Sequence, residues 1–211
     1  SGKSTIVNLI PRLYDATEGE VLVDGINVKK YKESSLFDLI GYISQKAVMF
    51  RGTILDNIGL GMKNNKKISK DKMIKAIEVA QGKEFVEKLP DKYNYSLAEQ
   101  GTNVSGGQKQ RLSIARAIAR NPEIYIFDDS FSALDYKTDF TLRKELKKYT
   151  KSATVVIVAQ RIGTIKDADQ IFVIEDGMVV GSGTHKTLLK TCKEYKEIAL
   201  SQLSKEEIEN A

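Results

Sequence analysis

The sequence predicts an α/β domain built around a mostly parallel sheet. Continuous apolar runs at residues 124–127 and 154–158 are separated by a helical stretch, which is typical of parallel strands buried on both faces. Two further strand pairs are expected to turn at Asp24-Gly25 and Asp176-Gly177, because this dipeptide favours tight hairpins. A chain of 211 residues with 41% apolar content can bury one sizeable core, so we expect a single domain.

Helical segments are predicted on both sides of these strands. The chain begins at the first turn of an amphipathic helix over residues 3–14, and residues 39–44 form a short strand candidate. From about residue 53 to residue 120 the pattern is mostly helical and charged, which predicts an inserted helical subdomain. Ser105 is a good N-cap for the last helix of this insert, which we expect to end at Asn121-Pro122.

Composition argues against several classes of protein. The formal net charge is +5, and the densest basic cluster contains no interleaved aromatic residues for base stacking, so we interpret it as a solvated loop entering a helix. Its members are Lys63, Lys66, Lys67, Lys70 and Lys72. The single cysteine, Cys192, excludes an internal disulfide framework. No apolar run approaches the roughly 20 residues that span a bilayer, and we expect no secretion leader. We therefore expect no nucleic-acid partner and no membrane span within this sequence.

The first motif with a chemical meaning is Ser1-Gly2-Lys3-Ser4-Thr5, which matches the end of the phosphate-binding loop G-x-x-x-x-G-K-[ST]. In such a loop, backbone N–H groups surround a phosphate, the lysine reaches the β- and γ-phosphates, and the next hydroxyl ligates Mg²⁺. A stretch this short also occurs by chance. The apolar strand over residues 124–128 supplies the second element, since it ends in Asp128, an acid suited to hold Mg²⁺ beside Ser4. Together they predict a phosphate-loop NTPase core that binds ATP and Mg²⁺.

The segment Val104-Ser105-Gly106-Gly107-Gln108-Lys109-Gln110-Arg111 resembles the signature of the ABC ATPase family. Glycines allow close approach of the backbone, and a helix N-terminus with a serine hydroxyl suits a γ-phosphate. In this family the signature contacts the ATP held by a second subunit. The resemblance therefore implies nucleotide contacts for Ser105, Gly106, Gly107 and Gln108, and a second ABC ATP-binding domain as partner.

The resemblance covers nearly the whole chain and implies one ABC ATP-binding domain over residues 1–211. Its expected parts are the phosphate-loop NTPase core with a mostly parallel sheet, an antiparallel β subdomain incomplete at the N-terminus, and a helical subdomain over about 53–120 that carries the signature. The start of the phosphate loop and the aromatic residue that stacks on adenine are expected upstream of Ser1.

Further segments resemble those of exporter subunits. Gln45 occupies the place of the family's Q-loop glutamine, a ligand of Mg²⁺ and water that reports to the transmembrane domain, and residues 132–135 resemble the D-loop at the dimer interface. Residues 12–15, 50–54 and 99–101 resemble exporter rather than importer ATPases. The resemblance implies a transmembrane domain as partner and a location on the cytoplasmic face of the membrane.

Two positions depart from the family pattern. Asp129 stands where the family usually has a glutamate that acts as general base, and Gln160 stands where it has a histidine that contacts the γ-phosphate. A reacting group displaced by about 1 Å can cost on the order of a hundredfold in rate, and a glutamine side chain cannot become cationic. We therefore expect slow ATP hydrolysis at this chain's own site. His185, the sole histidine, is interpreted as a capping or packing residue.

The departures affect one half-site while the signature is intact, a pattern that resembles heterodimeric exporters with one slow site. The slow site would contain the residues Lys3, Ser4, Gln45, Asp128, Asp129 and Gln160. Two alternatives stay open. One is a non-transport ABC ATPase, which the exporter-like residues 52–54 and the absence of a long coiled-coil insertion disfavour. The other is a regulatory ATP-binding module without turnover, which Asp129 and Gln160 favour.

Overall fold

A computed structural model describes residues 2–61 and 68–204 together with Ile208. Ser1 and the predicted loop residues Lys63, Lys66 and Lys67 lie outside the described residues. In chain order the helices are α1 (Lys3–Asn8), α2 (Glu33–Leu39), α3 (Ile54–Ile58), α4 (Lys70–Val79), α5 (Lys83–Glu87), α6 (Gly106–Arg120), α7 (Tyr136–Tyr149), α8 (Ile162–Ile165), α9 (His185–Thr191) and α10 (Lys193–Gln202). The strands are β1 (Leu22–Val23), β2 (Ile26–Asn27), β3 (Ile40–Ile43), β4 (Gly52–Thr53), β5 (Ser96–Leu97), β6 (Ile124–Asp128), β7 (Thr154–Val158), β8 (Ile171–Glu175) and β9 (Met178–Gly183).

A three-stranded parallel sheet in the order β3-β6-β7 forms the centre of the fold. Successive residues of the middle strand β6 pack on opposite faces: Tyr125 and Phe127 lie in one core cluster, and Ile126 lies in another. This alternation follows from the two-residue period of a strand. The prediction of parallel strands is therefore confirmed, and β6 is buried on both faces, whereas Thr154 and Val155 on β7 are exposed.

The buried side chains of the described residues form three core clusters, two of which include the central sheet. The first joins the face of Tyr125 and Phe127 to α3, α4, α6 and α7, and the second joins the opposite face to α1, α2 and the β1–β2 hairpin. The third cluster lies between α8, the β8–β9 hairpin, α9 and α10. The helical insert thus shares its core with the sheet, and its predicted bounds at residues 53 and 120 stay a prediction.

Both predicted hairpins are present. In the β1–β2 turn, Asp24 and Gly25 have φ values of 49° and 73°, and Asp176 and Gly177 have 46° and 80° in the β8–β9 turn. Positive φ at both central residues matches the twist of antiparallel strands, and glycine adopts it without a steric penalty. Within the described residues no helix is long and apolar enough to cross a bilayer.

The first helix is shorter than predicted. It ends at Asn8 rather than near Tyr14, and Arg12 has a left-handed backbone with φ of 58°. Pro11 explains the difference, because a proline ring clashes with the carbonyl of the preceding turn and lacks an N–H donor. The predicted helix at Ser105 is confirmed, since Ser105 is the N-cap of α6 and Asn121 ends it with φ of 48°.

Asn57 connects α3 with the loop that precedes it. Its side-chain amide donates to the carbonyls of Phe50 and Thr53 at 2.8 and 3.0 Å, and its carbonyl accepts from the Phe50 N–H at 2.8 Å. The guanidinium of Arg116 on α6 donates to both carbonyl oxygens of Asn57, at 2.8 Å to the backbone and 3.2 Å to the side chain. Burial lowers the pKa of Arg116 to about 10. One buried amide therefore ties two segments of the helical insert together.

We expect Asn57→Ala to lower the free energy of unfolding by about 2 to 4 kcal/mol, because the backbone N–H and carbonyl of Phe50 and one guanidinium N–H of Arg116 lose the amide with which they form partly buried hydrogen bonds. Urea unfolding followed by far-UV circular dichroism measures this change. Asn94→Ala is the matched control, since Asn94 is exposed and should change stability by less than about 0.5 kcal/mol. Equal effects of the two substitutions would contradict the assigned role of Asn57.

Candidate functional site

The predicted site residues follow three neighbouring strands at the point where each strand ends. Gln45 follows β3, Asp128 is the last residue of β6 and Asp129 comes directly after it, and Gln160 follows β7. The carboxyl ends of parallel strands meet at one edge of a sheet, which is where ligands bind in open α/β folds. Since β6 is the middle strand, its terminal acids lie between the two glutamines.

Asp128 contacts the residue that the phosphate-loop motif predicted for it. The Ser4 hydroxyl donates to Asp128 Oδ1 at 2.7 Å across 124 positions of sequence. Asp128 is only 6% exposed, and its strand packs against α1 through the second core cluster. The structure therefore brings together the hydroxyl and the carboxylate that the two separate motifs supplied.

Two residues that the sequence did not single out complete this contact. The Tyr42 hydroxyl lies 3.0 Å from Asp128 Oδ2 and 2.7 Å from Asn8 Oδ1, and it can donate to either oxygen. Burial and the neighbouring carboxylate raise the pKa of Tyr42 above its ordinary value. Asn8 lies one helical turn after Ser4, and this four-residue spacing is the signal that would have placed both on one face of α1.

Asp129 accepts hydrogen bonds from both glutamines. The side-chain amides of Gln45 and Gln160 each donate to Asp129 Oδ2 at 3.2 Å. The Asp129 N–H donates to the Val158 carbonyl at 3.0 Å, and the residue has a left-handed backbone with φ of 47°. Aspartate tolerates this conformation better than most side chains. Two predicted glutamines, which follow the two outer strands, therefore bind one oxygen of the predicted carboxylate that follows the middle strand.

Buried side chains hold the segment that leads to Gln45. The Ser130 hydroxyl donates to the Ile43 carbonyl at 2.7 Å, and the Gln110 amide donates to the Ser44 carbonyl at 3.1 Å. Both side chains are almost completely buried. Sequence reasoning missed them, because neither residue lies at a position where the local pattern predicts a polar contact.

The other predicted phosphate-loop residues lie at the start of α1. Gly2 is the N-cap with φ of 93°, a conformation that requires glycine in practice, while Lys3 is half-buried and Thr5 is exposed. Ser1 lies outside the described residues. The roles of Gly2, Lys3 and Thr5 toward a nucleotide stay predictions.

The signature segment forms a capped helix start. The Ser105 hydroxyl accepts from the Gln108 N–H at 3.3 Å, and the Gln108 side chain accepts from the Ser105 N–H at 2.8 Å. A Cβ atom on Gly107 would lie 3.2 Å from the Ala133 carbonyl oxygen, so glycine permits a close approach to residues 132–135. A Cβ atom on Gly106 would meet no atom of the described chain within 4 Å.

A comparison with known protein families shows which family the chain belongs to. The family described as "ABC transporter" matches residues 1–132, which is more than half of the chain. The chain belongs to the ABC transporter family. The observed parallel sheet, antiparallel β hairpin and helical insert are the parts expected of its ATP-binding domain.

Individual relatives agree with the family. An uncharacterised ABC transporter ATP-binding protein of Mycobacterium tuberculosis is 46% identical over 96% of this chain and 34% of its own length. The ATP-dependent lipid A-core flippase of Haemophilus influenzae is 41% identical over 97% of this chain and 34% of its own length. The structure of a bacterial Atm1-family ABC exporter with ATP bound has a TM-score of 0.91 and 34% identity, covering 97% of this chain and 35% of that one. The chain thus spans about a third of the length of these relatives.

The oxygen ligands of the ABC domain fit Mg²⁺ as the family implies. Ser4 and Asp128 present a hydroxyl and a carboxylate in direct contact, and Mg²⁺ typically takes one or two such protein ligands together with waters and phosphate oxygens. Among the described residues no group of three or more His, Cys, Asp or Glu side chains forms a metal cage. This donor set therefore suits an ion that is shared with a nucleotide.

His185 packs inside the domain, as predicted. It is the first residue of α9, and its Nδ1 lies 2.7 Å from the Tyr195 hydroxyl in the third core cluster. Its side chain is buried, and burial is the main cause that lowers its pKa. The sole histidine of the chain is thus part of a buried pair, and Thr184 rather than His185 caps the helix.

A double-mutant cycle tests the contact between α1 and β6. We expect Ser4→Ala and Asp128→Asn to show a coupling free energy of about 1 kcal/mol in unfolding experiments, because Ser4→Ala removes the donor of the hydrogen bond and Asp128→Asn removes the charge that strengthens it. Thr5→Ala is the matched control and should show a coupling with Asp128→Asn below about 0.5 kcal/mol. Additive effects of the Ser4 and Asp128 substitutions would show that the contact contributes nothing to stability.

Proposed function

We propose that this ABC domain binds ATP with Mg²⁺ and drives export of a substrate across a membrane, at the cytoplasmic face, as the ATPase part of an exporter. The observation that carries the proposal is the hydrogen bond between Ser4 and Asp128, since it joins the phosphate-loop hydroxyl to the acid that ends the central strand. Names of the relatives, a flippase and an exporter, support transport as the purpose of hydrolysis. Their greater length supports a transmembrane domain as partner.

Each residue at the sheet edge has a role in this proposal. The N–H groups at the start of α1 and the Lys3 ammonium bind the phosphates, while Ser4 and Asp128, with Gln45 at the rim, would hold Mg²⁺. The ion, when bound, neutralises charge that develops on the phosphate oxygens. Asp129 is the general base: water attacks the γ-phosphorus, Asp129 takes the proton, and ADP leaves. Because both glutamines donate to Oδ2, its Oδ1 is the oxygen placed to accept that proton.

Hydrolysis at this site is proposed to be slow. The Asp129 carboxylate is one methylene shorter than glutamate, and Gln45 and Gln160 hold it close to the sheet edge. Gln160 can donate a hydrogen bond to a γ-phosphate but cannot supply a positive charge. Loss of an effective general base typically costs roughly a hundred- to ten-thousandfold in rate. The site would hold ATP longer than it hydrolyses it.

The signature is proposed to act on a partner's nucleotide. Gly106 is the first residue of α6, directly after the N-cap Ser105, and it is exposed. Among the described residues a Cβ atom at that position would meet no other atom within 4 Å, which leaves room for a contact from outside the chain. Ser105, Gly106, Gly107 and Gln108 would then complete the site of a second ABC domain. A homodimer would contain two slow sites, so we propose a heterodimer whose partner hydrolyses quickly.

A regulatory module that binds ATP without turnover is the second candidate. Asp129 and Gln160 favour this candidate, because the neutral Gln160 amide donates to the short Asp129 carboxylate and supplies no positive charge for hydrolysis. In that case ATP would hold the two domains together at this site, and hydrolysis at the other site would supply all of the work.

Restoring both family residues tests whether Asp129 and Gln160 limit hydrolysis at this site. In a full-length transporter whose partner site is disabled, we expect Asp129→Glu combined with Gln160→His to raise ATPase activity at least about tenfold, which is roughly 1.4 kcal/mol of barrier. The reason is that the longer carboxylate reaches the water while the imidazole orients it. Each single substitution is the control and should give clearly less than the pair, since such groups act as a unit. A double variant that traps ATP yet stays at the background rate would show that other residues make this site slow.

Substitution of the signature serine tests its action on the partner. We expect Ser105→Arg to leave ATP affinity of this chain within about twofold while it abolishes most turnover of the assembled pair, because a γ-phosphate contact contributes several kcal/mol. Ser69→Arg is the matched control, since Ser69 caps α4 in the same way. Turnover at the wild-type level in the Ser105 variant would refute the head-to-tail arrangement.

A further inference from the structure

Gln202, at the C-terminal end of α10, bonds to the loop that carries Gln160. Its side-chain amide donates to the Gln160 carbonyl at 2.9 Å, and its side-chain carbonyl accepts from the Ile162 N–H at 2.8 Å. The two residues it contacts flank Arg161, so both ends of the Gln202 amide group bind one short stretch of backbone. These bonds join segments that are 40 positions apart in sequence.

Gln202 supplies a hydrogen-bond acceptor at the N-terminus of α8. The first N–H groups of a helix have no partner within the helix, and α8 has only four residues. Arg161, its N-cap, makes no side-chain capping bond, so Gln202 supplies the acceptor that the first N–H of α8 needs. The Ile162 side chain is 3% exposed and lies in the third core cluster, against which Leu203 also packs. The start of α8 is therefore fixed by both side-chain packing and a hydrogen bond.

On the other side of Arg161, hydrogen bonds hold the loop where packing does not. A cavity of about 350 Å³ borders residues 158–161 and is also lined by Asp129 and Gln202. Gln160 is exposed and borders this space, so side-chain packing constrains it less than it constrains Ile162. The bond from Gln202 to the Gln160 carbonyl holds the backbone of that exposed residue, and the Gln160 side chain in turn donates to Asp129 Oδ2 at 3.2 Å.

We propose that Gln202 is a positioning residue for the site at Asp129. It holds the Gln160 backbone so that the Gln160 side chain keeps its contact with the Asp129 carboxylate, and it thereby connects the end of α10 to hydrolysis. The proposal rests on the proposed function, in which Asp129 accepts the proton of the attacking water. The alternative role is that of a helix cap alone, which would stabilise α8 without any effect on the chemistry.

Two substitutions separate these roles. Gln202→Ala removes both hydrogen bonds. Gln202→Glu keeps an acceptor for the Ile162 N–H but loses the donor to the Gln160 carbonyl, which then faces a carboxylate. Gln170→Ala is the matched control, because Gln170 is an exposed glutamine that donates to Ser182 beside β8 and β9, at 2.6 Å. All variants are made in the full-length protein with its partner site disabled.

Three quantities are measured for each variant. Hydrogen exchange of a peptide covering residues 158–165 reports the cap, the dissociation constant of ATP reports binding, and single-turnover hydrolysis reports the chemistry. We expect Gln202→Ala to raise exchange about fivefold and to slow hydrolysis at least about threefold, with ATP affinity within about twofold, as the loss of two modest hydrogen bonds implies. Gln202→Glu should keep most of the protection and still hydrolyse slowly, and Gln170→Ala should change none of the three.

Each outcome decides one of the claims. Hydrolysis restored to the wild-type rate in Gln202→Glu, or unchanged in Gln202→Ala, overturns the positioning role and leaves a helix cap. Slow hydrolysis in Gln170→Ala as well would show a general loosening of the third core cluster and would also overturn it. If the wild-type chain binds no ATP, the proposed function itself fails, and the exchange data then report only the contact with Ile162.

Discussion

The middle position of β6 in the parallel sheet is the constraint on which the site depends. Consecutive side chains on a strand point to opposite faces, and Asp128 uses the face that packs against α1. At the next residue the backbone turns into a left-handed conformation, which aims Asp129 at the loops after β3 and β7. Of the two adjacent acids, Asp128 therefore binds Ser4 on α1, and Asp129 binds the two glutamines. A strand at the edge of the sheet would have a neighbour on one side only.

Neutral amide side chains, more than ion pairs, hold the segments around the site. Gln110 binds the segment before Gln45, Gln202 binds the loop of Gln160, and Asn57 fixes the start of the helical insert. An amide group can donate and accept at once without the desolvation penalty of a buried charge. Each such bond contributes about 0.5 to 1.5 kcal/mol to the free energy of unfolding, so each loop is stabilised by a modest amount.

The structure explains one of the two glycines at the start of α6, Gly107, but not the other, Gly106. Gly107 lies so close to the Ala133 carbonyl that a larger residue would force the D-loop-like segment away. Gly106 has no such neighbour within the described chain. Gly106 is the first residue of α6, and the described contacts give no reason for a glycine at that place.

The sequence by itself determined the strands of the parallel sheet, the two hairpins and the cap of α6, because these depend on the period of apolar residues and on local backbone preferences. It also identified Ser4, Asp128, Asp129 and Gln160 through their place in short motifs. Only the tertiary structure decided which of them touch, and it added Tyr42, Asn8 and Gln202. Those contacts join residues between 34 and 86 positions apart. No local pattern records such pairs, since strand order and helix packing alone bring them together.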